Sequence, residues 1–327
     1  MSRTIVSFAL LTLAAVACSD SAPTSPTPGT AQPRPSAPPP PTVPTPPPPS
    51  PATTEYLYVA AADGSGATKL TVGSWASWSP DGRRLVFHRG PTWAAPLFPG
   101  SIYLIDADGT HETKLIAGKW PSWSPDGQQI AFVDDEGIQV MGADGSNKKL
   151  LLRHYFRDDT YPPWDMGPAK PVWSPDGKRI AFEHLGDGDM QPAQVFVMSV
   201  DGSKVQRMSV GPIFYAESDP AWSPDGSKLA YWSYGFGLAI SDLGGGPPRT
   251  VFSSFPNVSY GAKPARSRDG TSLAFNMWGA GPGSTRSVFV VDLVTSAFQR
   301  LVRDGFDLAF SADQKRIVYT IARNDST

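Results

Sequence analysis

Trp78-Ser79-Pro80-Asp81-Gly82 is the first of four copies of one pentapeptide, and the other three copies begin at Trp123, Trp173 and Trp222. The copies follow one another at spacings of 45, 50 and 49 residues. Each is followed by two polar residues and an apolar run such as Ile180-Ala181-Phe182. Weaker copies at Arg266 to Gly270 and Phe310 to Gln314 extend the series to six. A fixed period of this size is typical of a repeat architecture.

Each unit contains two predicted β-hairpins. Ser-Pro-Asp-Gly suits a tight turn because Pro fixes φ, Asp can bond its own backbone and Gly tolerates positive φ. A second hairpin follows in each unit, as in Ile102–Ile105 and Thr113–Ile116 joined by Asp106-Ala107-Asp108-Gly109. Each unit is therefore predicted to be a four-stranded antiparallel sheet with strands a to d. Six such sheets arranged radially form an all-β propeller, in which the tryptophan of each strong copy is predicted to wedge between blades.

The phase of the repeat predicts how the ring closes. Tyr56–Val59 and Thr68–Thr71 form a c-d hairpin that no a-b hairpin precedes, and Leu308–Ile321 forms an a-b hairpin that no c-d hairpin follows. The two halves are complementary. We therefore predict one propeller domain over residues 55–322, with a short tail at 323–327, whose first and last hairpins combine into the sixth blade.

The string WSPDGKRIAF at Trp173 to Phe182 resembles the Pro-Asp variant of the WD-type repeat in TolB-like β-propellers of the bacterial envelope. The resemblance covers residues 55–321 and implies a six-bladed propeller. It also implies a binding role, since TolB docks a peptidoglycan-associated lipoprotein at its channel mouth. TolB carries an α/β domain before its propeller, whereas this chain has a short leader and a proline-rich segment there. The resemblance therefore implies a TolB-like fold without the whole TolB role.

The leader predicts export. Arg3 precedes an apolar run from Ile5 to Val16, and small residues lead to Cys18. This pattern is that of a signal peptide over residues 1–17 rather than of a membrane span. Ala15-Val16-Ala17-Cys18 resembles the lipobox of bacterial lipoproteins, so Cys18, the one cysteine of the chain, is the predicted lipidated N-terminus. Ordinary signal cleavage at the same bond remains the alternative.

Residues 18–54 are predicted to be an extended tether. Ser19 to Thr54 contains fifteen prolines and only two charged residues, Asp20 and Arg34, so it cannot bury a core. The net charge of the whole chain is −2 and its pI is about 6.1, which removes the electrostatic drive for nucleic-acid binding. The sequence thus predicts a monomeric propeller held away from a membrane, facing the periplasm or the surface from the outer membrane, with an envelope protein or glycan as partner.

The predicted partner site lies on the irregular b-to-c and d-to-a connections. Long connections such as Arg153 to Pro171 vary among the repeats, and variable loops commonly carry function. Amphipathic aromatic side chains on loops are typical binding anchors, although they can also pack as lids. The candidate anchors are Trp93, Phe98, Tyr155, Phe156, Tyr161, Trp164, Phe214, Tyr215, Trp232, Tyr234 and Trp278.

Catalytic signals are sparse, so we predict a non-enzymatic protein without cofactor or metal. Of the four histidines, His88 and His184 follow b strands, His154 lies in the longest loop and His111 is near a c-to-d turn. The alternative function is an envelope hydrolase or lyase that acts on glycan or peptide with histidine and aspartate at the channel mouth. It requires His88, His154 and His184 to converge on one site.

Overall fold

The structure is a computed structural model that describes residues 53–90, 100–153, 168–184, 193–208, 217–233, 237–244, 247–252, 258–267, 269–279 and 286–324. Within these ranges the regular elements are all β-strands. The described residues contain no helix that is long and apolar enough to cross a membrane. The strands are β1 (Thr53–Ala61), β2 (Thr68–Val72), β3 (Ser74–Trp78), β4 (Arg84–Arg89), β5 (Ser101–Asp106), β6 (Thr113–Ala117), β7 (Lys119–Trp123), β8 (Gln129–Val133), β9 (Gly137–Gly142), β10 (Lys149–Arg153), β11 (Pro168–Trp173), β12 (Arg179–His184), β13 (Gln194–Ser199), β14 (Gln206–Arg207), β15 (Glu217–Trp222), β16 (Lys228–Ser233), β17 (Gly237–Asp242), β18 (Arg249–Phe252), β19 (Val258–Arg266), β20 (Ser272–Gly279), β21 (Arg286–Asp292), β22 (Phe298–Arg303), β23 (Gly305–Phe310) and β24 (Arg316–Asn324).

The strands form six four-stranded antiparallel sheets, which confirms the predicted all-β propeller. Blades 1 to 5 are β3–β6, β7–β10, β11–β14, β15–β18 and β19–β22, and blade 6 has the order β2-β1-β24-β23. The a strands of successive blades contact one another around the ring, so they form its inner wall. Antiparallel order places the a-b and c-d turns at one end of every blade, here called the turn face. The other connections lie at the opposite end, the loop face.

Blade 6 closes the ring as the repeat phase predicts. Its strand β1 pairs with β24 over nine residues, from Thr53 opposite Asn324 to Ala61 opposite Arg316. The paired strands extend two residues beyond each predicted boundary, since they begin at residue 53 instead of 55 and end at residue 324 instead of 322. The first and last strands of the domain therefore share one sheet, and neither can fray without opening the ring.

The hydrophobic core is divided among the six seams between adjacent blades. Each buried cluster joins side chains of two neighbouring blades. Trp173, for example, packs with Val140 of blade 2 and Phe182 of its own blade 3, and it is 8% exposed. Trp78, Trp123 and Trp222 occupy equivalent seams. The prediction that these tryptophans are wedges is confirmed.

An arginine from the preceding blade covers three of these four wedges. The guanidinium carbon of Arg316 lies 4.7 Å from the ring centroid of Trp78. Arg84 covers Trp123 at 5.2 Å and Arg179 covers Trp222 at 4.9 Å in the same way. Arg179 also donates to the Gly226 carbonyl at 2.9 Å. These cation–π contacts and hydrogen bonds fasten one blade to the next.

Candidate functional site

The ring encloses a central cavity of about 730 Å³. Residues of all six a strands line it. The cavity also reaches the a-b turns, because Pro80, Pro125, Pro175 and Pro224 are among its lining residues. The last three of these prolines are exposed. The cavity therefore opens on the turn face, opposite the face where the sequence predicted a partner site, and its volume lies in the ordinary range of ligand pockets.

Every a strand is bulged at the same place. The pairing of strands a and b slips just before the repeat tryptophan, for instance between Ser74 and Ser77 in blade 1 and between Ala169 and Val172 in blade 3. The same slip occurs in the other four blades. A bulge re-aims a side chain and is common beside binding sites. Here it acts on the position three residues before the repeat tryptophan or its equivalent.

That position has a left-handed backbone in five blades. The φ angles are 54° at Trp75, 52° at Trp120, 50° at Lys170, 57° at Asp219 and 55° at Asp307. The sixth equivalent is Lys263, whose side chain lies outside the described residues. The first four line the cavity. We call these five described residues the channel ring.

A left-handed backbone is costly for most of these residue types. It costs about 1–2 kcal/mol for an L-residue with a Cβ, less for Asp and most for bulky side chains. Trp75, Trp120 and Lys170 therefore hold a strained conformation. Strain that recurs at equivalent positions around a cavity is typical of side chains held for function.

One side of the channel ring is aromatic. The rings of Trp75 and Trp120 meet edge to face, with centroids 6.4 Å apart and planes inclined at 77°. Both side chains are half-buried, so part of each faces the cavity. Nζ of Lys170 lies 4.9 Å from the centroid of Trp75. The ring thus presents two indoles beside a single ammonium group.

A buried ionic cluster lies next to the two indoles. Nζ of Lys170 lies 2.7 Å from Oδ1 of Asp219 and 3.2 Å from Oε1 of Glu183, and the amide of Asp219 donates to Oε2 of Glu183 at 3.0 Å. Burial raises the pKa of Glu183, and the charge of Lys170 offsets this only in part. Burial opposes the charge of Lys170, yet the two carboxylates raise its pKa above the ordinary lysine value. The cluster joins blades 3 and 4 at the cavity wall.

The turn-face rim is stiffened by its repeat sequence. In blade 2 the Ser124 hydroxyl donates to Asp126 at 2.6 Å, while that carboxylate also accepts from the amide of Gln128 at 3.0 Å. These hydrogen bonds lower the pKa of Asp126. The same serine–aspartate bond occurs in the other five turns. The rim of the cavity is therefore six copies of one rigid turn.

Most of the sequence-predicted site lies outside the described residues. This holds for Cys18 and for the loop aromatics Trp93, Phe98, Tyr155, Phe156, Tyr161, Trp164, Phe214, Tyr215 and Tyr234. Trp278 belongs to β20, opposite Tyr260 and Arg286, so its backbone lies in a strand rather than in a connection; the Trp278 side chain is not described.

The structure contradicts the prediction that Trp232 is a binding anchor on a connection. Its side chain is 4% exposed and packs with Leu238 and Phe275 in the seam between blades 4 and 5. It is therefore a core residue and cannot serve as a surface anchor. The strand β16 continues through Ser233, so the position that we assigned to a connection lies inside the sheet.

The structure describes two of the three histidines that the catalytic alternative requires to converge. His88 is fully buried in blade 1, whereas His184 belongs to blade 3, and His154 lies outside the described residues. Among the residues that the structure describes, no three His, Cys, Asp or Glu side chains are grouped to hold a metal ion. A buried His88 has no surface to offer a substrate.

The channel ring is a candidate site that the sequence did not predict. Its signal was present, because Trp75 and Trp120 lie three residues before a repeat tryptophan and Lys170 and Asp219 occupy the same place. A proline follows three of these four residues. What the sequence could not supply was the bulge, which turns that position toward the channel.

Comparison with known proteins supports the fold. No family model and no curated protein matches the chain. A protein assigned as TolB from Agrobacterium tumefaciens superposes with a TM-score of 0.64 and 16% identity, covering 83% of this chain and 99% of the other. TolB from Acinetobacter baumannii gives a TM-score of 0.53 at 16% identity, covering 83% and 65%.

The fold is also shared with an enzyme. The gluconolactonase XC5397 from Xanthomonas campestris superposes with a TM-score of 0.53 and 17% identity, covering 77% of this chain and 87% of the other. Likeness at such identities establishes architecture and leaves activity open. The chain has a six-bladed, TolB-like β-propeller fold, as its repeats predict.

Proposed function

We propose that this chain is a non-enzymatic binding module of the bacterial cell envelope, exported, lipid-anchored through Cys18 and engaging its partner in the central channel. The observation that carries the proposal is the channel ring. Three of its residues, Trp75, Trp120 and Lys170, hold a strained backbone while they line one cavity. Gly or Asn adopts this conformation at lower cost, so its recurrence with Trp and Lys around one cavity favours a role for these side chains.

The chemistry of the cavity favours binding over turnover. Two half-buried indoles supply the large amphipathic surface that binding anchors use. The carboxylates of Glu183 and Asp219 are held by Lys170 rather than positioned beside a nucleophile. The cavity is suited to hold a segment of a partner protein, and the exposed turn-face rim around it would form the outer contact.

The location rests on the leader and the tether. Arg3, the apolar run to Val16 and the lone Cys18 direct the chain to export and lipidation, and the proline-rich residues 19–54 space the propeller from the membrane. Membrane fractionation of a Cys18→Ser variant tests this part. The variant should leave the membrane fraction while still being exported, and equal retention would remove the lipid anchor from the proposal.

Partner capture tests the site. The full chain would be crosslinked in cells and its bound partner quantified after solubilisation of the envelope. Asn tolerates a left-handed backbone, so the double variant Trp75→Asn, Trp120→Asn should keep its fold and lose capture by at least about tenfold, as expected when a central anchor worth about 1.4 kcal/mol or more is removed.

Trp164→Ala is the matched control on the loop face. If the partner binds the loop aromatics, as the sequence predicted, this variant should lose capture about thirtyfold or more, corresponding to about 2 kcal/mol. Loss in the loop variant with full capture by the channel variant would overturn the channel site. Turnover of a glycan or peptide by the purified chain would overturn the non-enzymatic assignment.

A further inference from the structure

Four residues of the channel ring form one row of contacts along the cavity wall. Oδ1 of Asp219 lies 2.7 Å from Nζ of Lys170, and that Nζ lies 4.9 Å from the ring centroid of Trp75. The rings of Trp75 and Trp120 meet edge to face at 6.4 Å. Lys170 belongs to blade 3, Asp219 to blade 4 and Trp75 to blade 1. The lysine side chain therefore reaches past blade 2 and joins the ionic cluster to the two indoles.

The ammonium group of Lys170 is held from two directions. Oε1 of Glu183 lies 3.2 Å from Nζ, and Oε2 of Glu183 accepts the amide of Asp219 at 3.0 Å. The side chains of both acidic residues are 2% exposed, and that of Lys170 is 18% exposed. Ionic contacts are stronger where water is excluded, because the local dielectric constant is lower. Two carboxylates thus fix the ammonium group beside the indole of Trp75.

The repeat architecture does not require this cluster. Glu183 lies three residues after Ile180, at the start of the apolar run in strand b. The equivalent residues of the other five blades are His88, Val133, Trp232, Asn276 and Thr320. Five blades are therefore built without a glutamate at this place. The cluster is a feature of blades 3 and 4 at the channel, which favours a role in the channel over a role in the scaffold.

A fixed cation restricts an indole that is only half-buried. Trp75 contacts the ammonium group and the ring of Trp120, and both tryptophans line the cavity. A cation beside an aromatic ring favours orientations in which it lies over the ring face. The edge-to-face contact extends this restriction to Trp120. An anchor that is ordered before binding avoids the entropy cost of being ordered by the partner.

We propose that Lys170 is the positioning residue of the channel site. Held by Glu183 and Asp219, its ammonium group fixes the indole of Trp75, and through it that of Trp120, in the arrangement that the partner binds. This rests on the channel being the partner site proposed above. Lys170 acts through the indoles, so the arrangement of the indoles and partner capture should change together.

Fluorine NMR of the full chain labelled with fluorotryptophan tests this arrangement directly. Trp75→Asn and Trp120→Asn assign the two signals by their disappearance. Lys170→Met keeps a long apolar side chain and removes the charge, so it should shift both signals. It should also lower partner capture about threefold to tenfold, the range expected when one side chain must be ordered on binding.

Lys148→Met is the matched control. Nζ of Lys148 lies 2.6 Å from Oδ2 of Asp134, whose side chain is 5% exposed, and neither residue lines the cavity. This variant breaks a lysine–aspartate pair of blade 2 outside the channel. Both indole signals and partner capture should stay as in the parent. Equal shifts of the two signals in Lys148→Met and Lys170→Met would overturn the positioning role.

Chemical rescue separates the charge of Lys170 from its packing. In Lys170→Gly the φ of 50° carries no strain, and n-butylammonium has the size of the missing side chain. Added n-butylammonium should restore both signals and partner capture. The alcohol n-butanol has the same length without the charge and should restore neither. Rescue by both compounds would show that Lys170 only fills space, and would overturn the proposal.

Asp219→Asn decides the question if neither Lys170 variant folds. Asn tolerates the left-handed backbone of this position, and the substitution removes the charge that lies 2.7 Å from the ammonium group. A shift of both indole signals together with reduced capture supports the proposal. Unchanged signals with full capture overturn it.

The capture assay distinguishes failure of this inference from failure of the proposed function. Full capture by Lys170→Met, with capture lost in the Trp75→Asn, Trp120→Asn double variant, overturns the positioning role and leaves the channel site standing. Full capture by the double variant overturns the channel site and this inference with it. Unchanged indole signals in folded Lys170→Met overturn the positioning role whatever the capture.

Discussion

Strand β3 contains two tryptophans, three residues apart, that lie in different regions of the molecule. Trp78 is 7% exposed and fills the seam between blades 6 and 1, where Arg316 covers it. Trp75 is half-buried and lines the channel on a left-handed backbone. One residue type thus stabilises the seam and forms the channel surface, and backbone conformation separates the two roles.

The turns sharpen this contrast, because they use the same conformation differently. Gly82, Gly127, Gly177 and Gly226 have φ between 66° and 71° and carry no side chain that would be strained there. The channel ring reaches a similar φ with tryptophan, lysine and aspartate. Five of the six a-b turns avoid this strain with a glycine, and Gln314 takes that place in blade 6 at a φ of 60°, whereas the channel ring holds large side chains in this conformation around one cavity.

The largest expected effect separates the two tryptophans of β3. Trp78→Ala should lower the free energy of unfolding by about 3–5 kcal/mol, because it empties a seam and removes the indole bond to the Ala309 carbonyl. Trp75→Ala should lower it by only about 1 kcal/mol, because the side chain is half-buried and loses one edge-to-face contact without emptying a seam. Urea denaturation of both variants measures the difference.

Trp173→Ala is the control for the seam, because Trp173 fills an equivalent seam without an arginine cover in the described structure. The free energy of unfolding of this variant should likewise fall by about 3–5 kcal/mol. Equal losses for Trp75→Ala and Trp78→Ala would mean that the channel tryptophan is a structural residue, and the argument from strain would not hold.

A smaller effect tests the left-handed conformation itself. At Gly127 an added Cβ would meet only the Pro80 side chain, at 3.5 Å, which is an ordinary contact. Gly127→Ala should therefore cost about 1–2 kcal/mol through backbone strain alone. Trp75→Asn places a tolerant residue at a strained position and should be neutral or stabilising by up to about 1 kcal/mol. Melting temperatures of the two variants should shift in opposite directions or by clearly different amounts.

A clear destabilisation by Trp75→Asn, equal to that of Gly127→Ala, would contradict this interpretation. It would show that the contacts of the Trp75 side chain outweigh the strain of its backbone. The partner-capture assay on the same protein preparation then tells whether binding and stability depend on one residue or on different ones.

The fold was predictable because every blade repeats the same local signals. Ser-Pro-Asp-Gly fixes a turn by its own chemistry, and the phase of the half-units at Tyr56 and Ile321 fixes the closure. The wedge role of Trp173 followed from its recurrence. These features depend on residues close in sequence, or on a period that comparison of the repeat copies reveals.

The site was less predictable because it depends on neighbours distant in sequence. Strand b of each blade is covered on both faces, so β16 shows buried residues at nearly every position, and alternation could not reveal that Trp232 lies inside. The direction of Trp75 depends on a bulge in the pairing with β4, which no local pattern specifies. Glu183 and Asp219 lie 36 residues apart and meet only in the ring.

The smallest expected effect is a change in the pH dependence of stability, and it has opposite signs in the channel and in the turns. The pKa of Glu183 is raised by burial, so its protonated form favours the folded state. That contribution is complete below the ordinary glutamate pKa of about 4.3 and is lost as pH rises through the raised value. Glu183→Gln should remove this loss, so that the parent weakens relative to the variant as pH rises above about 4.3.

Asp126 in the turn supplies the matched comparison. Its pKa is lowered by the Ser124 hydroxyl and the Gln128 amide, so its contribution is present above the ordinary aspartate pKa of about 3.9 and is lost as pH falls. As pH rises, the stability of the parent should therefore increase relative to that of the Asp126→Asn variant. Relative to the Glu183→Gln variant it should decrease. Because Asp126 is exposed, its slope should be the shallower one. Urea midpoints between pH 3 and pH 8 measure both slopes, and slopes of the same sign would show that the buried cluster holds Glu183 as a carboxylate throughout.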